Sequence, residues 1–150
     1  MLEKIISGGQ TGADQGGLSA ALILGLKTGG TATKGYRTEK GNEPGLLRDR
    51  YGLTESPDWR YPARTKQNVQ DSEGTVWVGT VNSPGYFCTA NEAKRRSKLW
   101  VENPTAEHLA VWVDRWDIRV LNVAGNRESK NPGIHERTKQ LIVEAFATNG

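Results

Sequence analysis

The 150-residue chain has one cysteine, Cys88, two histidines, His108 and His135, and one methionine. A lone cysteine excludes an intramolecular disulfide and a cysteine-based zinc site. The histidines are far apart in sequence and match no ligand spacing, so neither a metal nor a resident cofactor is expected. Long apolar runs are missing too. Nothing approaches the roughly 20 residues that cross a bilayer. The chain enters a strand-like Lys4-Ile5-Ile6 with no signal-peptide pattern before it, so a reducing, cytoplasmic location is expected and a membrane partner is not. Net charge is small, +3, with a sequence pI of about 9.1. Its one tight basic cluster, Lys94-Arg95-Arg96, reads as a solvated helix face, which argues against nucleic acid as a partner. Mild basicity still steers an anionic ligand.

Glycine is what the chain has in quantity: 18 residues, without a period, which excludes collagen-like and simple repeats. A hydrophobic fraction of 35% and a mean hydropathy of −0.63 fit one small domain with much loop and surface.

The pattern alternates. Glu3 to Ser7 reads as a buried strand, followed by a glycine-rich turn from Gly8 to Gly17. Leu18, Ala21, Leu22 and Leu26 at helical spacing predict a helix over Gly17 to Leu26, with a turn at Gly29-Gly30. Gly30 to Ala63 is polar and rich in glycine and proline, and reads as a long functional loop with a strand-like segment. Ala63 to Asp71 reads as a turn or two of helix and Thr75 to Gly79 as a strand. Asn82 to Phe87 reads as loop. Thr89 with Glu92 three residues later forms a capping-box pattern ahead of a helix over Ala90 to Ser97. Leu99 to Glu102 is a strand. Thr105 caps a helix whose apolar stripe is Leu109, Val113 and Trp116, with Trp112 beside it. Arg119 to Val123 is a strand, and Gly133 to Ala147 the last helix. Such alternation predicts a single α/β domain of Rossmann type, a mostly parallel sheet with helices on both faces. Trp77, Trp112 and Trp116 are expected in the core, and Trp100 either there or at a subunit interface.

Ligands of such sheets sit beyond the carboxyl ends of the strands. Three loops leave there: Ser7 to Gly17, Gly79 to Thr89, and Ala124 to Gly133. In the first, Gly8, Gly9 and Gly12 allow backbone N–H groups to turn toward a phosphate, the following helix adds the positive end of its dipole, and Ser7, Gln10 and Thr11 add side-chain donors. The glycine spacing is not the dinucleotide fingerprint. The loop also lacks the Gly-Lys-Ser/Thr ending of a P-loop, which argues against ATP hydrolysis of that kind. Asp14 either caps the helix or accepts hydrogen bonds from a ribose hydroxyl. Arg127 either clamps a phosphate or carboxylate or pairs with Glu128 or Asp117. Asn122, ending an apolar strand, needs partners for a buried amide. Among Trp59, Tyr61, Tyr36 and Tyr51, one ring either stacks on a base or anchors its loop.

Several of these segments together resemble a known family. Ile5-Ile6-Ser7-Gly8-Gly9-Gln10-Thr11-Gly12-Ala13-Asp14 is similar to the signature of YpsA-related proteins of the SLOG superfamily, a group that carries a molybdenum-carrier label. The similarity continues through Gly29-Gly30, Lys34-Gly35, Arg37-Thr38-Glu39, Arg64-Thr65, Asn68-Val69, Asp71 to Thr75, Asn122 to Ser129 and Pro132-Gly133-Ile134. The resemblance implies a Rossmann-like fold, a pocket for a nucleotide derivative at the glycine loop, and self-association. It adds Lys34 and Arg37 to the candidate ligand-binding residues, beside Ser7, Gly8, Gly9, Gln10, Thr11, Gly12, Asp14, Asn122, Gly125 and Arg127.

SLOG relatives either cleave nucleotide N-glycosidic bonds or sense nucleotide signals, including ADP-ribose derivatives of antiviral defence. The expected function is binding of an ADP-ribose-type signal, including sequestration by a phage-type sponge. The alternatives are a phosphoribohydrolase and a molybdenum-cofactor carrier. The hydrolase would use Glu92 and Asp14 as carboxylates. Its family motif, Pro-Gly-Gly-x-Gly-Thr-x-x-Glu, is matched here at Pro84, Gly85, Thr89 and Glu92, but Tyr86 and Cys88 replace glycines. Gly85, Tyr86 and Thr89 therefore join the candidates, with Tyr86 and Phe87 expected either to narrow a phosphate approach or to form a stacking wall.

Overall fold

The computed structural model describes residues 1–147. Five strands form the central sheet: β1 (Lys4–Ile6), β2 (Lys27–Gly29), β3 (Gly74–Val78), β4 (Leu99–Glu102) and β5 (Val120–Gly125). They lie in the order β2-β1-β5-β3-β4, and every neighbouring pair is parallel. The helices are α1 (Ala13–Leu24), α2 (Tyr61–Gln70), α3 (Pro84–Arg95), α4 (Ala106–Arg115) and α5 (Ile134–Phe146). Right-handed crossovers put α1, α4 and α5 on one face, where α5 packs between the other two, and α3 on the opposite face, where it packs on α2.

Counted from β5 and α5 rather than from β1, the same sheet reads 3-2-1-4-5, the order of a doubly wound Rossmann fold. The first βα unit of that fold stands at the carboxyl end of this chain. The crevice where strand order reverses then falls between β5 and β3, with the β1 loop beside it.

Ile5, Val76, Leu121 and Val123 of the sheet, Leu109 and Val113 of α4, and Ile142 of α5 form the main core. A second cluster lies under the stretch expected to be a long loop. Leu47, Tyr51 and Leu53 pack against Leu18 and Ala32, all 4% exposed or less. Burying each leucine is worth about 2–3 kcal/mol. The stretch is therefore ordered by its own small core. It holds a two-residue parallel pair (Thr31–Ala32 with Thr54–Glu55), an antiparallel pair (Arg37–Thr38 with Gly41–Asn42) and a wide helical turn over Gly45–Arg50. In that turn the Tyr51 N–H donates to the Leu46 carbonyl at 3.1 Å.

Several boundaries differ from the sequence-based expectation. Helix α1 starts at Ala13, four residues earlier, because Gly16 and Gly17 are contact residues and not part of the turn. A Cβ on Gly16 would sit 2.5 Å from the His135 carbonyl oxygen, and one on Gly17 2.7 Å from the Val123 Cβ. Helix α3 starts at Pro84, not Ala90. Ser83 is its cap, accepting from the Tyr86 N–H at 3.1 Å, with Pro84 in the first turn. Thr89 instead donates its hydroxyl to the Gly85 carbonyl at 2.7 Å, so no capping box forms with Glu92. Lys27–Gly29 is a strand that the glycine pair concealed. Trp77 is buried and Trp112 packs on the core as expected, but Trp116 is 52% exposed beyond the end of α4. Thr105 caps α4 as expected, accepting from the His108 N–H at 3.1 Å.

Gly16→Ala is expected to destabilise the fold by about 1–3 kcal/mol through overpacking at α5. Gly45→Ala, where no atom lies within 4 Å, is expected to stay within about 0.5 kcal/mol. Chemical denaturation of both variants checks the contrast.

Candidate functional site

The three loops predicted to meet do meet, and Asn126 joins them. Its Oδ1 accepts from the Thr80 N–H at 2.8 Å and from the Asn131 Nδ2 at 3.0 Å, and its backbone carbonyl accepts from the Ala13 N–H at 3.1 Å. Thr11 adds a second link, with its Oγ1 accepting from the Glu128 N–H at 3.2 Å and donating to the Glu39 carboxylate. Glu39 belongs to the antiparallel hairpin of the long segment. Burial pushes its carboxyl up, but the hydrogen bonds from Ser129 and Thr11 outweigh that and hold it below the ordinary value.

Beside this junction is a cavity of about 710 Å³. Gln10 lines it from the β1 loop, Asp14 from the first turn of α1, Tyr61, Arg64 and Thr65 from α2, Trp77 and Thr80 from the end of β3, Ser83, Gly85, Cys88 and Thr89 from α3 and its cap, and Gly125, Asn126, Arg127 and Lys130 from the end of β5 and its loop. The Tyr61 ring has three guanidinium groups around it, those of Arg37 at 4.4 Å, Arg64 at 5.2 Å and Arg127 at 5.6 Å from its centroid. Among the described residues, the Arg127 and Lys130 side chains have no hydrogen-bonding acceptor. Arg127 therefore pairs with neither Glu128 nor Asp117.

The glycine loop is built differently from a phosphate nest. Gly9 N–H donates to Ser7 Oγ at 3.1 Å, Gln10 N–H to Asp14 Oδ2 at 3.2 Å, and Thr11 N–H to Gln10 Oε1 at 3.0 Å. These backbone donors are spent inside the loop. Gly8 is small because the Arg64 guanidinium lies against it, and an added Cβ would be 2.6 Å from its Cζ. Helix α5 is closed as well. The Glu128 carboxylate accepts from the Gly133 N–H at 2.6 Å and the His135 N–H at 3.0 Å, and these bonds hold its carboxyl below the ordinary value. An anion in the cavity is thus met by cationic side chains, together with the first turn of α3, where the Gly85 N–H has no acceptor among the described residues.

Of the residues singled out from the sequence, Gln10, Asp14, Gly85, Thr89, Gly125 and Arg127 line the cavity. Ser7, Gly8, Gly9, Thr11 and Gly12 shape the loop from behind. Lys34 is exposed on a short turn. Arg37 supports Tyr61 and donates to the Trp59 carbonyl at 2.6 Å. Asn122 is buried within the sheet, its Nδ2 donating to Thr75 Oγ1 at 3.2 Å. Tyr86 forms no cavity wall. It packs edge-on against Trp77, Phe87 and Trp100, and its hydroxyl donates to Glu102 at 2.8 Å. Tyr51 anchors its segment in the second core, and Tyr61 is the ring that reaches the cavity. Arg64, Trp77 and Lys130 went unread as site residues. The one signal for Arg64 was its place in a family-like segment.

The two candidate carboxylates part company. Glu92 is outside the cavity, with its side chain 2% exposed, taking hydrogen bonds from Arg96 at 2.9 Å, Arg95 at 3.2 Å and Gln70 at 3.1 Å. Burial pushes its carboxyl up, but these donors outweigh it and hold the group at about 2. A carboxylate so committed cannot act as an acid near neutrality, so Glu92 is a structural anchor. Asp14 is 4% exposed on the cavity wall. Burial pushes its carboxyl up to about 6, against the pull of Arg64 and of the Gln10 and Gly8 N–H groups.

The profile of the circularly permutated YpsA SLOG family matches residues 5–146. The chain belongs to this family. In this chain β5 and α5, the unit with which the doubly wound order begins, stand at the end of the sequence. The crystal structure of a protein described as "Putative molybdenum carrier protein" from Syntrophus aciditrophicus SB is 34% identical, with a TM-score of 0.88 over 97% of this chain and 96% of that one. No curated protein matches significantly. No helix among the described residues is long and apolar enough to cross a membrane.

Between its ordinary value of 3.8 and about 6, Asp14 holds a proton in the folded state that the unfolded chain has released, and above about 6 it is a carboxylate in both. Its contribution to stability is full below 3.8 and falls as pH rises to about 6, a cost of about 3 kcal/mol. Asp14→Asn is therefore expected to gain stability relative to the parent between pH 4 and 7, in thermal melts at stepped pH. Glu92 has the opposite sign, stabilising above its ordinary 4.5 and losing this as pH falls through about 2. Glu92→Gln is expected to cost about 1–3 kcal/mol at pH 7 and less at pH 3 in denaturant titrations.

Proposed function

We propose that this chain binds a phosphate-bearing nucleotide derivative in the cavity between β5 and β3, and that an ADP-ribose-type signalling nucleotide suits the site best. The observation that carries the reading is the convergence of Arg64, Arg127 and Lys130 on one cavity that also presents Tyr61 and Trp77. Guanidinium groups match phosphate oxygens bidentately, and an aromatic wall accepts a flat base. The volume falls within the roughly 300–1,000 Å³ of small-molecule sites. Sequestration without turnover fits a site whose motif-matched glutamate is tied up by two arginines. Its use as a phage-type sponge and self-association of the chain belong to the same proposal.

One observation favours a second reading. Asp14, a buried carboxyl raised to about 6, has the proton affinity of a general acid or base, so cleavage of an N-glycosidic bond would use Asp14 and not Glu92. The name of the neighbouring structure suggests a third. A molybdenum cargo would be held here as an oxyanion or within a phosphate-bearing cofactor, since no group of three potential ligand side chains converges among the described residues.

The test is mass spectrometry of small molecules released by heat from the purified protein, after incubation with ADP-ribose derivatives, nucleoside monophosphates and molybdate. An intact nucleotide in near-stoichiometric amount is expected. Free base with ribose phosphate would replace binding with hydrolysis, and retention of molybdate alone would favour the carrier. Arg127→Ala is expected to weaken nucleotide binding by about 10- to 100-fold.

A further inference from the structure

The cavity is uneven in its chemistry. On the β5 side, Arg127 and Lys130 present cationic donors. On the β1 side lie Asp14 and Gln10, and the Arg64 charge acts on Asp14. There the opposite charges of Asp14 and Arg64 offset one another, so an anion gains little by moving from the Arg127 end to this one.

Gln10 makes the inner end specific. Its Oε1 accepts from the Thr11 N–H at 3.0 Å and from the Glu39 N–H at 2.8 Å. Two backbone donors on the oxygen settle which end of the amide is which, so the –NH₂ is a donor by necessity. The side chain is only 6% exposed and its Nε2 has no partner among the described residues. The Nε of Arg64, on the same wall, is likewise buried without a partner. Buried donors left without acceptors are destabilising. The two side chains that carry them line the cavity together with Asp14, so an occupant that draws these donors toward it must supply acceptors and can also donate to Asp14.

A hydroxyl does both, whereas a phosphate or carboxylate only accepts and is repelled by Asp14. We propose that Gln10, Asp14 and Arg64 form a neutral subsite that takes a vicinal hydroxyl pair, such as the diol of a ribose, while Arg127 and Lys130 hold the phosphates. This rests on the nucleotide-binding reading above and adds an orientation to it: sugar toward β1, phosphate toward the β5 loop. The subsite makes the protein selective for polyhydroxylated ligands over bare phosphates.

Calorimetric titration of the full chain with two probes, ADP-ribose and inorganic pyrophosphate, tests it. The parent is expected to prefer ADP-ribose. Gln10→Ala is expected to weaken ADP-ribose by about tenfold or more and to leave pyrophosphate within about twofold. Asp14→Asn, which keeps an acceptor for the Gln10 N–H, is the second variant if Gln10→Ala fails to fold, and is expected to weaken ADP-ribose while leaving pyrophosphate unchanged or tighter, since the carboxylate's repulsion is gone. Arg127→Ala is expected to weaken both probes. If Gln10→Ala and Asp14→Asn shift the two probes alike, or shift neither, the subsite is refuted while nucleotide binding stands. If the parent binds neither probe, both readings fall.

Discussion

The hydrogen bonds of Asn126 hold the site in one place. Through its amide oxygen and its backbone carbonyl, this residue joins the loop after β5 to those after β3 and β1. Each loop is glycine-containing and polar, with little apolar area to anchor it. Polar links of this kind are directional and, when buried, costly to leave unmade. Thr11, Glu39 and Glu128 extend the same network to the hairpin of the long segment and to the start of α5. The cavity exists because these loops are pinned to each other and not only to the sheet.

The network also determines which groups remain for a ligand. Backbone N–H groups that a glycine loop ordinarily offers to phosphate are taken by Ser7, Gln10 and Asp14, and those of α5 by Glu128. Positive charge for an anion is supplied instead by the Arg127 and Lys130 side chains after β5, while the charge of Arg64 on α2 is offset by Asp14. The glycines serve close approach: Gly8 to a guanidinium, Gly16 and Gly17 to α5 and β5. The result is a site with a loaded cationic end and a neutral end where Asp14 and Arg64 offset one another.

Among the candidate residues, Gln10, Gly125 and Arg127 line the cavity from strand ends, where the βα rule places them without knowledge of any contact, whereas Asp14, Gly85 and Thr89 reach it from helices. Asn122 and Tyr86 were misplaced because their neighbours come from other elements, Thr75 on β3 and Glu102 on β4. Glu92 read as a cap or an acid from its spacing to Thr89, but Ser83 starts the helix and two arginines one turn onward bind the carboxylate. Tyr61 was one of four rings between which the sequence could not choose, and Arg64 was marked only by its place in a family-like segment. What brings them in is the packing of α2 over the glycine loop.

The alternation of β-branched runs with helical spacing was enough by itself to determine an α/β domain and the three loops at one sheet edge, because these follow from local periodicity and the handedness of crossovers. The motifs at Ile5 to Asp14 and Asn122 to Ser129 were enough to point to the family. Strand order, the permutation and the second core under residues 30–60 were decided only by the tertiary structure, as was the division of charge within the cavity. Each depends on contacts between residues dozens of positions apart, and such contacts leave no periodic trace in the chain.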